Sequence, residues 1–311
     1  MNRNAETAGN VSAGAIEAFV RIAHRVARHG RYHPYFLASD LGLIVTLGLT
    51  ATAGNLWGTT DWWRLAAPLI VFHLIGYPLY LKLKLKVVKT PARSFLQDTL
   101  LFILPSYLLA MLALGVPMRT ATDYLALCLP VTLAFHRIGC LVGGCCYGRP
   151  SIHGISYDPD LVAATRTPWR RFDPGPAPAE RVFPLQLTDA AVNVAIAAVL
   201  YTLAHSNPPM APLLPLYLAA YSAARLIMEP FRGHRHRPLY RHVSEAQLTA
   251  FLVTTLSALW IGLALAQLRI RSATVGQGSR AIGNVSRQGG DHHGSDRGRP
   301  VRKVATTSRH L

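Results

Sequence analysis

Long runs of apolar residues recur along the chain and constrain its fold more than any other feature. The runs lie roughly at residues 37–57, 64–81, 95–116, 122–142, 186–204, 211–230 and 245–268. Each is close to the ~20 residues that an α-helix needs to cross a hydrocarbon layer of ~30 Å. Lipid offers no partners to backbone N–H and C=O groups, and no alternating segments suggest a barrel, so these spans should be helical. The sequence therefore predicts an all-α, polytopic membrane protein with about seven transmembrane helices.

The composition fits a membrane protein and sets the expected partners. Half of the 311 residues are hydrophobic and only 15% are charged. The formal net charge of +17 comes mostly from Lys and Arg between the apolar runs, where basic side chains meet anionic lipid headgroups. We therefore expect membrane lipid, and no nucleic acid, as a partner. The Lys and Arg counts of the connections favour an amino terminus on the inner side of the membrane.

Two polar segments flank the predicted membrane domain. Residues 1–33 lack the apolar core of a signal peptide, and their apolar and basic positions fall on opposite helical faces. This pattern suits a helix in the headgroup plane, and a poorly ordered polar tail is the alternative. Residues 34–268 form the membrane domain, in which the Gly-, Pro- and aromatic-rich connection at about 143–185 is predicted to be ordered. Ser244 and Gln247 have the spacing of a capping box, which predicts that the last span begins there. Residues 269–311 are rich in Gly, Ser and Arg, which predicts a disordered basic tail.

Two basic side chains, Arg137 and Arg225, fall well inside the predicted spans. A guanidinium at membrane depth costs on the order of 2.5–3.5 kcal/mol on insertion scales, so it rarely occurs there without a partner or a polar cavity. The guanidinium also presents a rigid fork of donors that matches a phosphate with two parallel hydrogen bonds. The two arginines therefore predict a site for a lipid phosphate.

Arg225 opens a segment in which steps of four and three residues place Glu229 and Arg232 on the same helix face. A carboxylate between two arginines would keep both oriented, although Pro230 is expected to kink or end this helix. The alternative is an ion pair at a helix end whose long side chains reach toward water.

Arg137 opens a stretch that contains Gly139, Gly143, Gly144 and Gly148. Glycines permit tight turns and the close approach of a ligand, and irregular backbone at membrane depth is tolerated where it lines a cavity or the protein interior. The alternative is that these glycines allow close helix packing, which does not account for the adjacent arginine.

Three of the four cysteines are crowded at Cys140, Cys145 and Cys146. Thiolates bind zinc and iron–sulfur clusters, but this spacing lacks a second pair of ligands, so we expect no metal. A disulfide, a packed pair of free thiols and a reactive thiol near Arg137 are the alternatives.

Five further polar residues lie in or beside the spans: Asp40, His73, Asp98, His136 and Asp189. Any of them can be a partner for an arginine. Sequence alone places none within hydrogen-bond reach of a reacting atom. The catalytic residue is therefore unassigned, with Cys145, Cys146 and Asp189 as candidates.

Three segments, in order, resemble the prolipoprotein diacylglyceryl transferases, and the likeness covers roughly residues 130–250. The Gly-rich stretch resembles the family's signature, which begins with an essential arginine and ends in Gly-Arg. The matching positions are Arg137, Gly139, Gly144, Gly148 and Arg149. Residues 183–189, Phe-Pro-Leu-Gln-Leu-Thr-Asp, resemble a segment that usually reads His-Pro-x-Gln-Leu-Tyr-Glu. The family's later arginine motif is matched by Tyr221, Arg225, Glu229 and Arg232.

The resemblance implies a multi-pass protein of the bacterial plasma (inner) membrane that needs no cofactor. In this family, diacylglyceryl moves from phosphatidylglycerol to the lipobox cysteine thiol of a lipoprotein precursor, and glycerol phosphate is displaced. The implied phospholipid-binding residues are Arg137, Arg225, Gly139, Gly144 and Gly148. The implied supporting residues are Arg149, Gln186, Tyr221, Glu229 and Arg232.

Several positions depart from the family pattern. The family usually carries Ser-Phe-His-Gly-Gly in an earlier span, with the histidine implicated in catalysis, whereas Leu96 stands at that histidine position here. Cys140 and Cys145 replace an Asn and a Glu of the signature, and Phe183 stands where histidine is usual. A divergent family member that binds phospholipid without transferring it is therefore the alternative function.

Overall fold

The structure is a computed structural model that describes residues 13–23, 25–26, 34–54, 62–88, 99–160, 176, 180–205, 212–233, 239–240 and 243–288. Two positions named above, Leu96 and Asp98, lie outside these ranges, as do residues 289–311 of the carboxyl-terminal segment. The chain divides into two compact units, Met1–Gly262 and Leu263–Leu311. All the site residues discussed below belong to the first unit.

Every predicted span overlaps a helix. Helix α1, at residues 13–23, precedes the spans. The helices that follow it are α2 (Pro34–Gly54), α3 (Trp62–Val71), α4 (Tyr77–Val88), α5 (Leu104–Ala113), α6 (Met118–Val142), α7 (Leu185–His205), α8 (Leu213–Met228) and α9 (Glu245–Gln288). A π-helical turn at Phe72–Gly76 joins α3 to α4, and another at Thr99–Ile103 leads into α5. The helix α9 continues past the predicted end of its span at residue 268, and disorder over the rest of 269–311 stays a prediction.

Among the described residues, four stretches are long and apolar enough to cross a membrane. They are Trp62–Lys84, Met118–Val142, Leu185–His205 and Glu245–Gln267. The stretches Tyr35–Leu49 and Leu100–Ala113 are apolar but shorter. The protein is thus a helical membrane protein as predicted, while the count of about seven spans stays a prediction.

The helix α6 lies at the centre of the membrane domain. It packs against α2, α7 and α8, and its buried apolar residues form the core with Met111 of α5, Leu214 and Tyr217 of α8 and Leu200 of α7. By contrast, α7 and α9 expose large apolar side chains such as Val194 and Leu256, which suits faces that meet lipid. A central helix that is buried on all sides can carry polar groups that lipid would exclude.

The connection after α6 is ordered where the structure describes it, and it contains a short sheet that the all-α prediction lacks. Strand β1 (Pro150–Ser156) pairs antiparallel with β2 (Arg181–Val182). A Cβ at Gly154 would lie 2.5 Å from the Val182 carbonyl oxygen, so this crossing requires glycine. A second pair, β3 (Leu239–Tyr240) and β4 (Val243–Ser244), precedes α9. Both sheets have two strands and leave the helical class unchanged.

The amino-terminal helix α1 packs against this sheet. Ala13 and Val20 are buried in one cluster with Ile155 and Val182. The Ser156 amide donates a 2.8 Å hydrogen bond to Glu17 Oε1. This face of α1 is therefore covered by the loop, and apolar Phe19 and Ile22 are exposed on the remaining surface. The predicted position of α1 in the headgroup plane stays a prediction for that exposed part.

Two predicted helix ends are confirmed. The Ser244 amide donates to Gln247 Oε1 at 2.9 Å and the Gln247 amide donates to Ser244 Oγ at 3.1 Å, which is the reciprocal capping box that starts α9. The helix α8 ends at Met228, and a 3-10 turn at Glu229–Phe231 contains Pro230 at its second position. The proline thus ends the regular α-helix without carrying Glu229 away from Arg225.

Candidate functional site

Arg137 lies near the end of α6 and faces the start of α7. Its Nε atom is 2.8 Å from Asp189 Oδ2, and both side chains are buried. These two atoms are within ion-pair distance, but the Nε–H group is not aligned for a hydrogen bond. Nη2 donates a 3.4 Å hydrogen bond to the Tyr221 hydroxyl of α8.

Arg232 connects this pair to the predicted arginine motif. Its Nη2 donates a 2.7 Å hydrogen bond to the same Asp189 Oδ2, and its Nε lies 3.4 Å from Glu229 Oε2. Glu229 Oε2 is also 3.1 Å from Arg225 Nη2. The order of contacts is Arg137, Asp189, Arg232, Glu229, Arg225, and we call these five side chains the charged network.

The motif of Arg225, Glu229 and Arg232 is confirmed as a contiguous set on one face, and its burial argues against the exposed ion-pair alternative. Arg225 is 3% exposed, Glu229 0% and Arg232 2%. Ser244 Oγ donates to Glu229 Oε1 at 3.3 Å, so the segment that begins α9 also fixes this carboxylate. The side chains therefore lie inside the protein and do not reach toward water.

The charged network has a surplus of positive charge. Its three guanidiniums and two carboxylates carry a formal charge of +1, and each buried ion costs several kcal/mol of desolvation before its partners offset that cost. Arg225 Nη1 is buried and, within the part of the chain that the structure describes, has no hydrogen-bond partner. A bound anion would use this donor and would bring the charge of the site to zero.

The Gly-rich segment joins the other two motifs through the backbone. The Gly148 amide donates to the Phe183 carbonyl at 2.8 Å, and the Arg149 amide donates to the Phe231 carbonyl at 2.9 Å. Gly148 also forms an isolated β-bridge with Arg232. The three segments that resemble the family are thus in direct main-chain contact.

Close packing explains two of the glycines in this segment. A Cβ at Gly139 would lie 3.1 Å from the Tyr35 ring and carbonyl oxygen of α2, and a Cβ at Gly148 would lie 3.0 Å from Phe183. Protein atoms therefore occupy the direction in which a side chain would extend from these two glycines, and the contact of the glycines with phospholipid stays a prediction. Gly144 has a φ of +64° and makes the turn that follows α6. Close packing, the alternative noted above, accounts for Gly139 and Gly148, and a tight turn accounts for Gly144.

Gln186 fixes the turn that follows α6. Its Nε2 donates to the Cys145 carbonyl at 2.6 Å and to the Tyr157 hydroxyl at 3.4 Å. Burial raises the pKa of Tyr157, so its hydroxyl stays protonated at neutral pH. Gln186 thus supports the backbone of the cysteine segment, whereas Arg149 is exposed.

The three crowded cysteines converge. The Sγ atoms of Cys140, Cys145 and Cys146 all lie within 4.8 Å of one another, and none forms a disulfide. Cys140 and Cys145 are buried and Cys146 is partly exposed. Of the alternatives that the sequence left open, packed thiols describe this arrangement, and a disulfide does not.

A second polar cluster lies between α2, the Phe72–Gly76 turn and α6. His73 Nε2 and Asp40 Oδ1 are 3.0 Å apart, and His136 Nε2 is 2.5 Å from Ser39 Oγ. The two imidazole rings stack with centroids 6.3 Å apart, and both line an otherwise mostly apolar cavity. The sequence pointed to Asp40, His73 and His136 as polar residues in or beside the spans. It could not predict their contacts, since 33 positions separate Asp40 from His73.

Comparison with known families agrees with the three motifs. Residues 99–264 match the family model described as prolipoprotein diacylglyceryl transferase, which is more than half of the chain and includes every member of the charged network. A search of curated proteins found no match.

Proposed function

Because this chain belongs to the prolipoprotein diacylglyceryl transferase family, we propose that it moves diacylglyceryl from phosphatidylglycerol to the lipobox cysteine of a lipoprotein precursor. The proposed location is the bacterial plasma membrane. The observation that carries the proposal is the charged network: a buried set of fixed guanidiniums with a surplus of one positive charge. A phosphodiester headgroup carries one negative charge, so its phosphate matches that surplus.

The two carboxylates account for the orientation of the arginines. Asp189 holds Arg137 and Arg232, while Glu229 holds Arg232 and Arg225. An arginine that is held in this way loses little side-chain entropy when it binds phosphate, and its planar fork suits two parallel hydrogen bonds. Arg137 and Arg225, at the two ends of the network, are the proposed phosphate ligands.

The proposed reaction is a displacement at carbon. The acceptor sulfur attacks the diacylglyceryl carbon that bears the phosphate ester, a C–S bond forms, and the C–O bond breaks. The electron pair of that bond leaves with glycerol phosphate, and the thiol proton is released. Donors that are already fixed on the phosphate oxygens stabilise the charge that grows on the leaving group, without reorganisation during the step.

The test is transfer of labelled diacylglyceryl from phosphatidylglycerol to a lipobox peptide by the purified full chain. Arg137→Lys retains the charge but loses the fork, and we expect it to lower transfer at least tenfold. The matched control is Arg119→Lys, an exposed arginine at the opposite end of the same helix, which should transfer normally.

The alternative function is phospholipid binding without transfer. Leu96 at the family's histidine position and the cysteines at signature positions favour it. If correctly folded protein binds phosphatidylglycerol but yields no labelled peptide, the transferase proposal is refuted and the binding function takes its place.

A further inference from the structure

The three converging thiols lie beside the charged network but take no part in it. Cys140 occupies the last turn of α6, and Cys145 and Cys146 follow the Gly143–Gly144 turn. The Cys145 amide donates to the Cys140 carbonyl at 3.0 Å, which folds the chain back on the helix end. The resulting cluster places three soft sulfur ligands within 4.8 Å of one another.

The backbone holds this arrangement against a conformational cost. Cys146 has a φ of +57°, in the left-handed region, which a residue with a side chain adopts rarely. Such strain persists where the surrounding structure enforces it, and here the Gln186 side chain binds the Cys145 carbonyl at 2.6 Å. The strained residue is also the one whose thiol is partly exposed, so the cluster has an accessible side.

We propose that Cys140, Cys145 and Cys146 bind one thiophilic d10 metal ion, Zn²⁺ or Cu⁺. A metal–sulfur bond of ~2.3 Å places two sulfurs of a tetrahedral site about 3.8 Å apart, which needs only a small contraction of the observed cluster. Soft thiolates select these ions over Mg²⁺ or Ca²⁺. The guanidinium of Arg137 is also near enough to interact with Cys140 and Cys146.

The fourth position of such a site is the place for the acceptor thiol, an extension that rests on the proposed function. Three protein ligands leave one coordination position of Zn²⁺ open, as in zinc sites that act on substrates. A thiol at that position would lose its proton to water and be held as thiolate. The C–S bond would form as the C–O bond to glycerol phosphate breaks, and glycerol phosphate would leave with the electron pair of that bond. Such a site would supply a deprotonation step in a chain that has Leu96 at the position where the resemblance places a histidine.

Metal binding is tested independently of transfer. The full chain is purified in detergent under reducing conditions, loaded with Zn²⁺ or Cu⁺, desalted, and its metal content measured by elemental mass spectrometry. We expect about one equivalent of one of these ions, and thiolate-to-metal absorption after Co²⁺ substitution. Cys140→Ser, Cys145→Ser and Cys146→Ser should each weaken binding at least tenfold.

Cys128→Ser is the matched control, because Cys128 is a buried cysteine of the same helix that lies outside the cluster. It should keep its metal, and circular dichroism verifies the helical fold of each variant. Any one of three results would overturn the metal site. They are three titratable thiols with no bound metal, a disulfide among the three cysteines in the isolated protein, and retention of the metal by all three variants.

The extension has its own readout. Removing the metal with a chelator should abolish transfer, and adding it back should restore transfer. Undiminished transfer by metal-free protein would overturn the role of the fourth position while leaving the metal site standing. If metal-loaded protein never transfers diacylglyceryl, the proposed function is refuted. The measured metal content would still show whether the three cysteines bind a metal ion.

Discussion

Replacing Asp189 by asparagine would remove the carboxylate that two arginines share. Asp189 Oδ2 lies 2.8 Å from Arg137 Nε and 2.7 Å from Arg232 Nη2, and the residue is 1% exposed. The neutral amide would raise the formal charge of the buried network from +1 to +2. Breaking a buried ion pair by removing one partner costs about 3–5 kcal/mol, because the remaining charge stays buried without compensation. With two arginines affected, we expect the upper part of that range.

The assay is unfolding of the full chain in mixed micelles, followed by circular dichroism as the denaturing detergent is increased. The control is Asp123→Asn, which also changes a buried carboxylate on a membrane helix. Asp123 Oδ1 accepts a 2.9 Å hydrogen bond from the Leu213 amide, which an asparagine oxygen retains, and its ionic partner Arg119 is exposed and 3.8 Å away. The control should lose less than about 1 kcal/mol. An Asp189→Asn loss as small as that of the control would refute the view that the network is held by its carboxylates.

Three further predictions concern the fold and the ligand. Gly154→Ala should destabilise the protein by about 1–3 kcal/mol, because the new Cβ would meet the Val182 backbone at 2.5 Å; a lower midpoint of detergent unfolding would report it, and an unchanged midpoint would contradict it. Ser244→Ala should cost about 1 kcal/mol in detergent unfolding through loss of the capping box, whereas Ser151→Ala, at a partly exposed position of β1, should cost less than half of that. Arg225→Lys should weaken binding of phosphatidylglycerol vesicles at least tenfold relative to Arg119→Lys, and equal binding by the two variants would remove Arg225 from the phosphate site.

The sequence predicted the parts of this structure that depend on local rules. Apolar runs of span length became helices, the Ser244 and Gln247 spacing became a capping box, and Arg225 contacts Glu229 because the two residues lie one helical turn apart. These features need information from within one element. They are therefore readable before any tertiary contact is known.

The parts that sequence could not supply depend on contacts between elements. Asp189 was one of several possible arginine partners, and its link to Arg232 arises from residues 43 positions apart. The sequence did not show that the three cysteines converge, because spacing alone does not reveal that Cys146 adopts a left-handed backbone conformation that brings the thiols together. Nor does the sequence show that Tyr35 and Phe183 pack beside Gly139 and Gly148, so both explanations of the glycines stayed open at that stage.

The alternation of charge along the network has a consequence for how the protein is made. Arg137 and Asp189 belong to the consecutive helices α6 and α7, and Arg225, in the last turn of α8, lies one turn before Glu229. Each of these pairs is neutral, and all four residues precede Arg232 in the chain. Arg232 follows and contacts both pairs. The cationic character of the finished site therefore appears only with Arg232, the last arginine of the network to be synthesised.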